Sequence, residues 1–380
     1  MTKRTLGRCL AATIALGSLL LAACSDDSDN GKAADTTAAA TTVAAETTVT
    51  SAPATTEVVA KPWETVVAPS DCQCSDASEF QYFIREADPN KVLFFLEGGG
   101  ACFSADTCGP TSQTYKKTAG DGPLSRADGI FDFANPENPF ADWSIVYVPY
   151  CTGDVHIGNA TTDYGNGVIV QHKGYVNGST ALATMAERFP GATEIVVAGE
   201  SAGSVATPLY AGLTHDLLPD AQIKVLADGS GAYPDVPAVN AFIGAQWGTM
   251  NAVPDWPENE GLTPEQWSLP GLFVQAGKHA PDIVFTRHDY AYDHTQAAFS
   301  QLAGVGGDEL VKMIDLNEQQ IEAGGVDLWS YISPGDSHTV LGKPDFYTEE
   351  LDGMRFVAWV QALIDGDTVA DWHCTECKAP

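Results

Sequence analysis

The chain has 380 residues, 44% of them hydrophobic, and 50 Asp and Glu against 19 Lys and Arg give it a formal charge of −31. A field of that sign disfavours nucleic acids and polyanionic substrates. Past the first two dozen residues no apolar run is long enough to span a bilayer, which leaves a globular enzyme or binding protein of one or two domains.

At the N-terminus Lys3, Arg4 and Arg8 precede the apolar run Leu10 to Ala23, the layout of an export signal. The run ends in Leu21-Ala22-Ala23-Cys24, which resembles a bacterial lipobox. Residues 1–23 are therefore expected to be a lipoprotein signal and Cys24 to be acylated. That would make the protein extracytoplasmic and tied to a membrane; an ordinary secretory signal cut near Ala23 is the alternative. Residues 24–61 are rich in Thr and Ala and almost free of aromatic side chains, so they read as a disordered tether. Residues 62–380 read as one catalytic domain.

Within that domain short apolar runs alternate with helical patterns. Val92–Leu96, Ser144–Val148, Glu194–Ala198, Ile223–Ala227, Ile283–Thr286 and Leu328–Ile332 are strand candidates. Tyr175–Phe189, Asp308–Ala323 and Asp352–Ile364 carry apolar residues at helical spacing. The alternation predicts an α/β fold, a mainly parallel sheet with helices on both faces. Residues 233–271 break the rhythm with Pro, Trp and Gly and read as a loop or cap insertion. Seven cysteines lie in the domain: Cys72, Cys74, Cys102, Cys108, Cys151, Cys374 and Cys377. An exported chain favours disulfides over a zinc site built on Cys72, Cys74, Cys374 and Cys377, and the odd number leaves one cysteine over.

Gly199-Glu200-Ser201-Ala202-Gly203 stands directly after a strand candidate and before a helical segment. A nucleophilic serine needs a strained turn of that kind, with small flanking residues, so Ser201 is the candidate nucleophile. Gly98-Gly99-Gly100 ends an earlier strand, where backbone N–H groups of Gly99 or Gly100 could join that of Ala202 in an oxyanion hole. His338 follows the strand candidate Leu328–Ile332, in the serine, acid, histidine order of such enzymes, and is the candidate base. Asp228, Asp289, Asp293 and Asp336 all lie at strand ends or near that histidine, and spacing alone does not choose among them.

Four blocks in order, Leu93–Gly99 with Cys102 and Cys108, Tyr147–Asp154, Gly199–Gly203 and Leu226–Gly229, resemble the pectin acetylesterase and Notum family. The resemblance implies an α/β-hydrolase fold, carboxylic ester hydrolysis, and bridges like Cys102 to Cys108 and Cys74 to Cys151. Ala291-Tyr-Asp293-His-Thr-Gln296 looks like the family's acid motif, which moves Asp293 ahead of Asp289. Two positions differ from the family pattern: Glu200, where relatives often carry a small polar residue, and Gly100, where some carry a large aromatic.

The expected activity is thus hydrolysis of acyl esters, acetyl esters first, by a serine carboxylesterase with Ser201, Asp293 and His338. It calls for no metal or organic cofactor. Partners are expected to be a small-molecule or carbohydrate ester, neutral rather than polyanionic, and a membrane through the lipid; the protein is expected to be a monomer that binds no nucleic acid. Two rivals, a solute-binding lipoprotein and a serine peptidase on the same fold, share the export signal or the elbow.

Overall fold

The computed structural model describes residues 59–306, 309–374 and 377. The expected signal, Cys24 and nearly all of the tether lie outside them. Among the described residues no helix is long and apolar enough to cross a membrane.

Nine strands form one sheet: β1 (Glu64–Val67), β2 (Gln81–Arg85), β3 (Asp88–Leu96), β4 (Trp143–Val148), β5 (Glu194–Glu200), β6 (Gln222–Asp228), β7 (Val284–Tyr290), β8 (Leu328–Ser333) and β9 (Trp372–His373). Their spatial order is β1-β2-β4-β3-β5-β6-β7-β8-β9. β2 runs antiparallel to β1 and β4, and every other neighbouring pair is parallel. The continuous apolar runs in β3 to β6 follow from burial on both faces. Phe94, Leu96, Val146, Ile195, Val197 and Val225 pack in one core layer, while Leu93, Phe95, Ile145, Val196, Ala198 and Leu226 pack in the other. Every strand candidate read from the sequence is a strand of this sheet. The antiparallel pair β1 and β2 is an addition at one edge.

Helices α1 (Gly174–Arg188), α2 (Ala202–Leu217), α3 (Pro237–Trp247), α4 (Leu269–His279), α5 (His294–Leu302), α6 (Leu310–Ala323) and α7 (Phe356–Asp365) connect the strands. One sequence expectation is corrected here. The last helix starts at Phe356, not Asp352, because Glu350–Leu351 and Met354–Arg355 pair as a tiny hairpin around Asp352 and Gly353. Both turn residues have positive φ, 49° and 89°, the geometry that Asp-Gly favours in a two-residue turn. The stretch 233–271, expected as a loop or cap insertion, contains α3, which Pro237 opens at its first turn.

Cys74–Cys151 and Cys102–Cys108 are disulfides, as the resemblance implied, and Cys374–Cys377 is a third. Cys72 is the free cysteine, buried against Thr180 and the Val176 carbonyl. Three of the four sulfurs of the zinc alternative are therefore held in bridges.

Candidate active site

Ser201 sits between the end of β5 and the start of α2 at φ 53° and ψ −121°, a conformation costly for a residue with a side chain. Its N–H donates to the Asp228 carbonyl at 2.7 Å, which pins the strained turn to the neighbouring strand β6. The turn also brings the first turn of α2 hard against the end of β3. A Cβ on Gly203 would collide with the Leu96 carbonyl, and one on Gly199 would lie 2.6 Å from the Gly203 backbone. Gly203→Ala is accordingly expected to cost about 3 kcal/mol or more of stability, because backbone rather than a flexible side chain must yield. Urea unfolding checks this, and a change under about 1 kcal/mol would show that the elbow has room to spare.

His338 lies on the loop after β8, and its Nε2 is 2.6 Å from Ser201 Oγ. Its Nδ1 is 2.6 Å from Asp293 Oδ2. Asp293 is fully buried at the N-cap of α5, where Oδ1 accepts the N–H groups of Thr295 at 2.8 Å and Gln296 at 3.0 Å. The cap fixes the carboxylate before any histidine approaches. The Gln296 side chain adds a third donor, to Oδ2 at 3.1 Å.

The other three acids stand elsewhere. Asp289 is buried beside Arg287, with Nε to Oδ2 at 2.8 Å, and accepts from Gly231 N–H and Gln296 Nε2. Burial pushes its pKa up against the pull of Arg287. Gln296 thus bridges the two carboxylates, and only Asp293 reaches the imidazole. Asp228 accepts from Val340 and Leu341 N–H at 2.8 and 2.9 Å and meets His288 Nδ1 at 2.8 Å. It anchors the loop that carries His338. Asp336 is half exposed and faces only His294, at 3.6 Å.

The glycine loop after β3 is braced from several sides. Glu97 accepts from Lys116 Nζ at 2.6 Å and from Tyr150 N–H at 2.9 Å, and its carbonyl faces His156 Nε2 at 2.8 Å. Burial holds the His156 pKa down to about 4, so the ring stays neutral and donates through Nε2. Gly100 has φ 78° and, like Ala202, borders the cleft that contains Ser201. Among the described residues the N–H groups of Gly99 and Gly100 find no hydrogen-bond acceptor.

Sequence reasoning missed two features. Glu200, the departure from the family pattern beside Ser201, forms a two-pronged ion pair with Arg126 at 2.6 and 2.8 Å. Arg126 lies in a loop with no motif, so nothing in the sequence announced it. The second is the cleft itself, which is partly open to solvent. Phe103, Ile157, Val239, Ile243, Trp247 and Phe299 supply much of its wall, and among the described residues no charged one borders it.

A family model described as pectinacetylesterase matches residues 57–252, a little over half of the chain. Curated relatives include the palmitoleoyl-protein carboxylesterase notum2 of Xenopus laevis, 36% identical over 94 residues, or 23% of this chain and 19% of that protein. The palmitoleoyl-protein carboxylesterase NOTUM of Homo sapiens is 28% identical over 180 residues, or 43% of this chain and 34% of that protein. The chain thus spans about a third or less of these relatives' length. The solved structure of the Wnt deacylase Notum from Drosophila shares the fold, with a TM-score of 0.57 at 17% identity, over 81% of this chain and 95% of the other. With the strand-borne elbow, the glycine loop and both expected disulfides inside the matched segment, the chain belongs to the pectinacetylesterase family.

Proposed function

We propose that the protein is a serine carboxylesterase acting on esters with an apolar acyl group. The observation that carries this reading is the unbroken chain from Ser201 Oγ through His338 to Asp293, with both contacts at 2.6 Å, at the edge of an uncharged cleft. His338 takes the Ser201 proton as Oγ attacks the carbonyl carbon, and Asp293 stabilises the imidazolium that forms. The tetrahedral oxyanion is held by Ala202 N–H and a glycine N–H; of Gly99 and Gly100, Gly100 borders the cleft and is the better placed. The alcohol leaves with the proton from His338. Water, deprotonated by the same ring, then cleaves the acyl-enzyme, releasing the acid and restoring Ser201.

The wall is apolar, with Phe103, Ile157, Val239, Ile243, Trp247 and Phe299, which supports an apolar acyl chain longer than the acetyl ester first expected. The curated relatives are named for removing palmitoleoyl groups from protein, and a lipid-like acyl group is the class this wall suits as well. The alcohol side is proposed to be neutral, given the formal charge of −31. Export and acylation at Cys24, with residues 24–61 as tether to the domain, complete the proposal. The disulfides support an oxidising compartment.

A series of p-nitrophenyl esters from acetate to decanoate tests the acyl preference. Each buried methylene contributes about 0.8 kcal/mol, so burial of only two of those added between acetate and octanoate makes kcat/KM climb roughly tenfold. A series in which acetate stays fastest would show that the acyl chain does not occupy the cleft. Release of amide-linked p-nitroaniline at a comparable rate would favour the peptidase instead.

A further inference from the structure

We propose that the outer face of α3 docks on a neutral lipid surface and sets the mouth of the Ser201 cleft against esters held in that surface. This goes beyond the esterase reading and rests on it only for the reaction that follows docking.

The sequence between Asp235 and Asp255 holds no charged residue, in a chain where 18% of residues are charged. α3 lies inside that stretch. One of its sides, with Val239, Asn240, Ile243 and Trp247, forms cleft wall. The other side is exposed and carries Ala238, Phe242 and Ala245 at a spacing of four and three, which puts them on one stripe. The Phe242 ring is 58% exposed. A helix side that faces water in a globular protein is normally charged or polar, and this one is neither.

Two more exposed apolar side chains lie on segments that border the cleft. Met250, just beyond α3, is 37% exposed. Leu302, at the end of α5, is 50% exposed, and Ala303 and Val305 directly after it border the cleft. The helix is held firmly at its C-terminal end, because Trp247 Nε1 donates to the Cys102 carbonyl at 2.7 Å and its own carbonyl accepts from Asn159 N–H. The face is therefore a fixed feature, with a disulfide loop behind it.

Charge selects the occupant. A second copy of a chain at −31 is repelled, and an anionic bilayer is repelled by the same field. A basic protein would be drawn to the acidic surface elsewhere and would find no carboxylate on α3. A zwitterionic lipid layer meets no such penalty, and from it an acyl ester enters the cleft along continuous apolar wall without crossing water.

The test compares the chain from residue 24 onward, carrying Cys24→Ser so that neither the apolar run Leu10 to Ala23 nor an acyl anchor contributes, with the same chain bearing Phe242→Glu or Phe242→Ser. Phe242 points away from the cleft, so hydrolysis of fully dissolved p-nitrophenyl butyrate is expected to stay within about twofold in both. Burial of a half-exposed phenyl ring corresponds to roughly tenfold in partitioning. Phosphatidylcholine vesicle flotation is expected to recover the parent chain and about tenfold less of Phe242→Glu, with Phe242→Ser between. With tributyrin, the parent rate is expected to jump severalfold as the ester passes its solubility limit, and Phe242→Glu to lose the jump. Equal flotation of all three chains, or a sedimentation shift showing that this face pairs two copies, would overturn the proposal. Flotation lost in Phe242→Glu with no hydrolysis of dissolved ester by any chain would support docking and reject the esterase reading, so the two failures are separable.

Discussion

Replacement of Ser201 by alanine is expected to lower kcat/KM for a dissolved aryl ester by roughly 10⁴- to 10⁶-fold, since nucleophile and base act as one unit. The size follows from the contact it removes. His338 Nε2 has Ser201 Oγ at 2.6 Å as its partner, and without the hydroxyl the ring has nothing to deprotonate except water. Stability is expected to hold within about 1 kcal/mol, because the strained turn depends on backbone. The Ser201 N–H bond to the Asp228 carbonyl and the close seat of Gly203 on Leu96 are the same in the variant. Covalent labelling by a fluorophosphonate should vanish with the activity. A variant that keeps even a hundredth of the parental rate would move the nucleophile elsewhere, and labelling followed by peptide mapping would locate it.

How much of this was visible beforehand depends on the range of the interactions concerned. The strands of the parallel sheet were legible because burial on both faces leaves an unbroken apolar run. The elbow was legible because strain, close packing and nucleophile sit within five consecutive residues. His338 was legible through its place after a late strand. The acid was harder, since Asp228, Asp289 and Asp293 are all buried near the same strand ends and differ only in what each faces. The motif ending in Gln296 favoured Asp293, and the geometry gives a reason for it: Gln296 holds Asp293 and Asp289 apart while binding both. The Arg126 to Glu200 pair joins residues 74 apart and has no local signature. α3 was passed over because its apolar residues show no single stripe; both of its sides are apolar, one toward the cleft and one toward solvent.

The decisive comparison for the site is Asp293→Asn against Asp289→Asn. Asp293→Asn is expected to keep the fold, because asparagine caps a helix as well as aspartate does and its side-chain oxygen can still accept from Thr295 and Gln296 N–H. It is expected to lose roughly 10⁴-fold in kcat, since a neutral amide no longer stabilises the imidazolium and lets His338 adopt the wrong tautomer. Asp289→Asn should do the reverse. It removes the nearer of the two carboxylates beside the buried Arg287 guanidinium, leaving Glu318 at 3.6 Å, a loss of about 3 kcal/mol in stability, while the protein that remains folded turns over at a rate within about tenfold of the parent. Turnover must therefore be normalised to active sites titrated with fluorophosphonate, so that unfolded protein is not counted as slow enzyme. If normalised kcat collapses in Asp289→Asn and survives in Asp293→Asn, then Gln296 passes the charge effect of Asp289 to His338 and the acid is misassigned. If both collapse with folds intact, the two carboxylates work as a pair, and the 2.6 Å contact of Asp293 with His338 is only its nearer half.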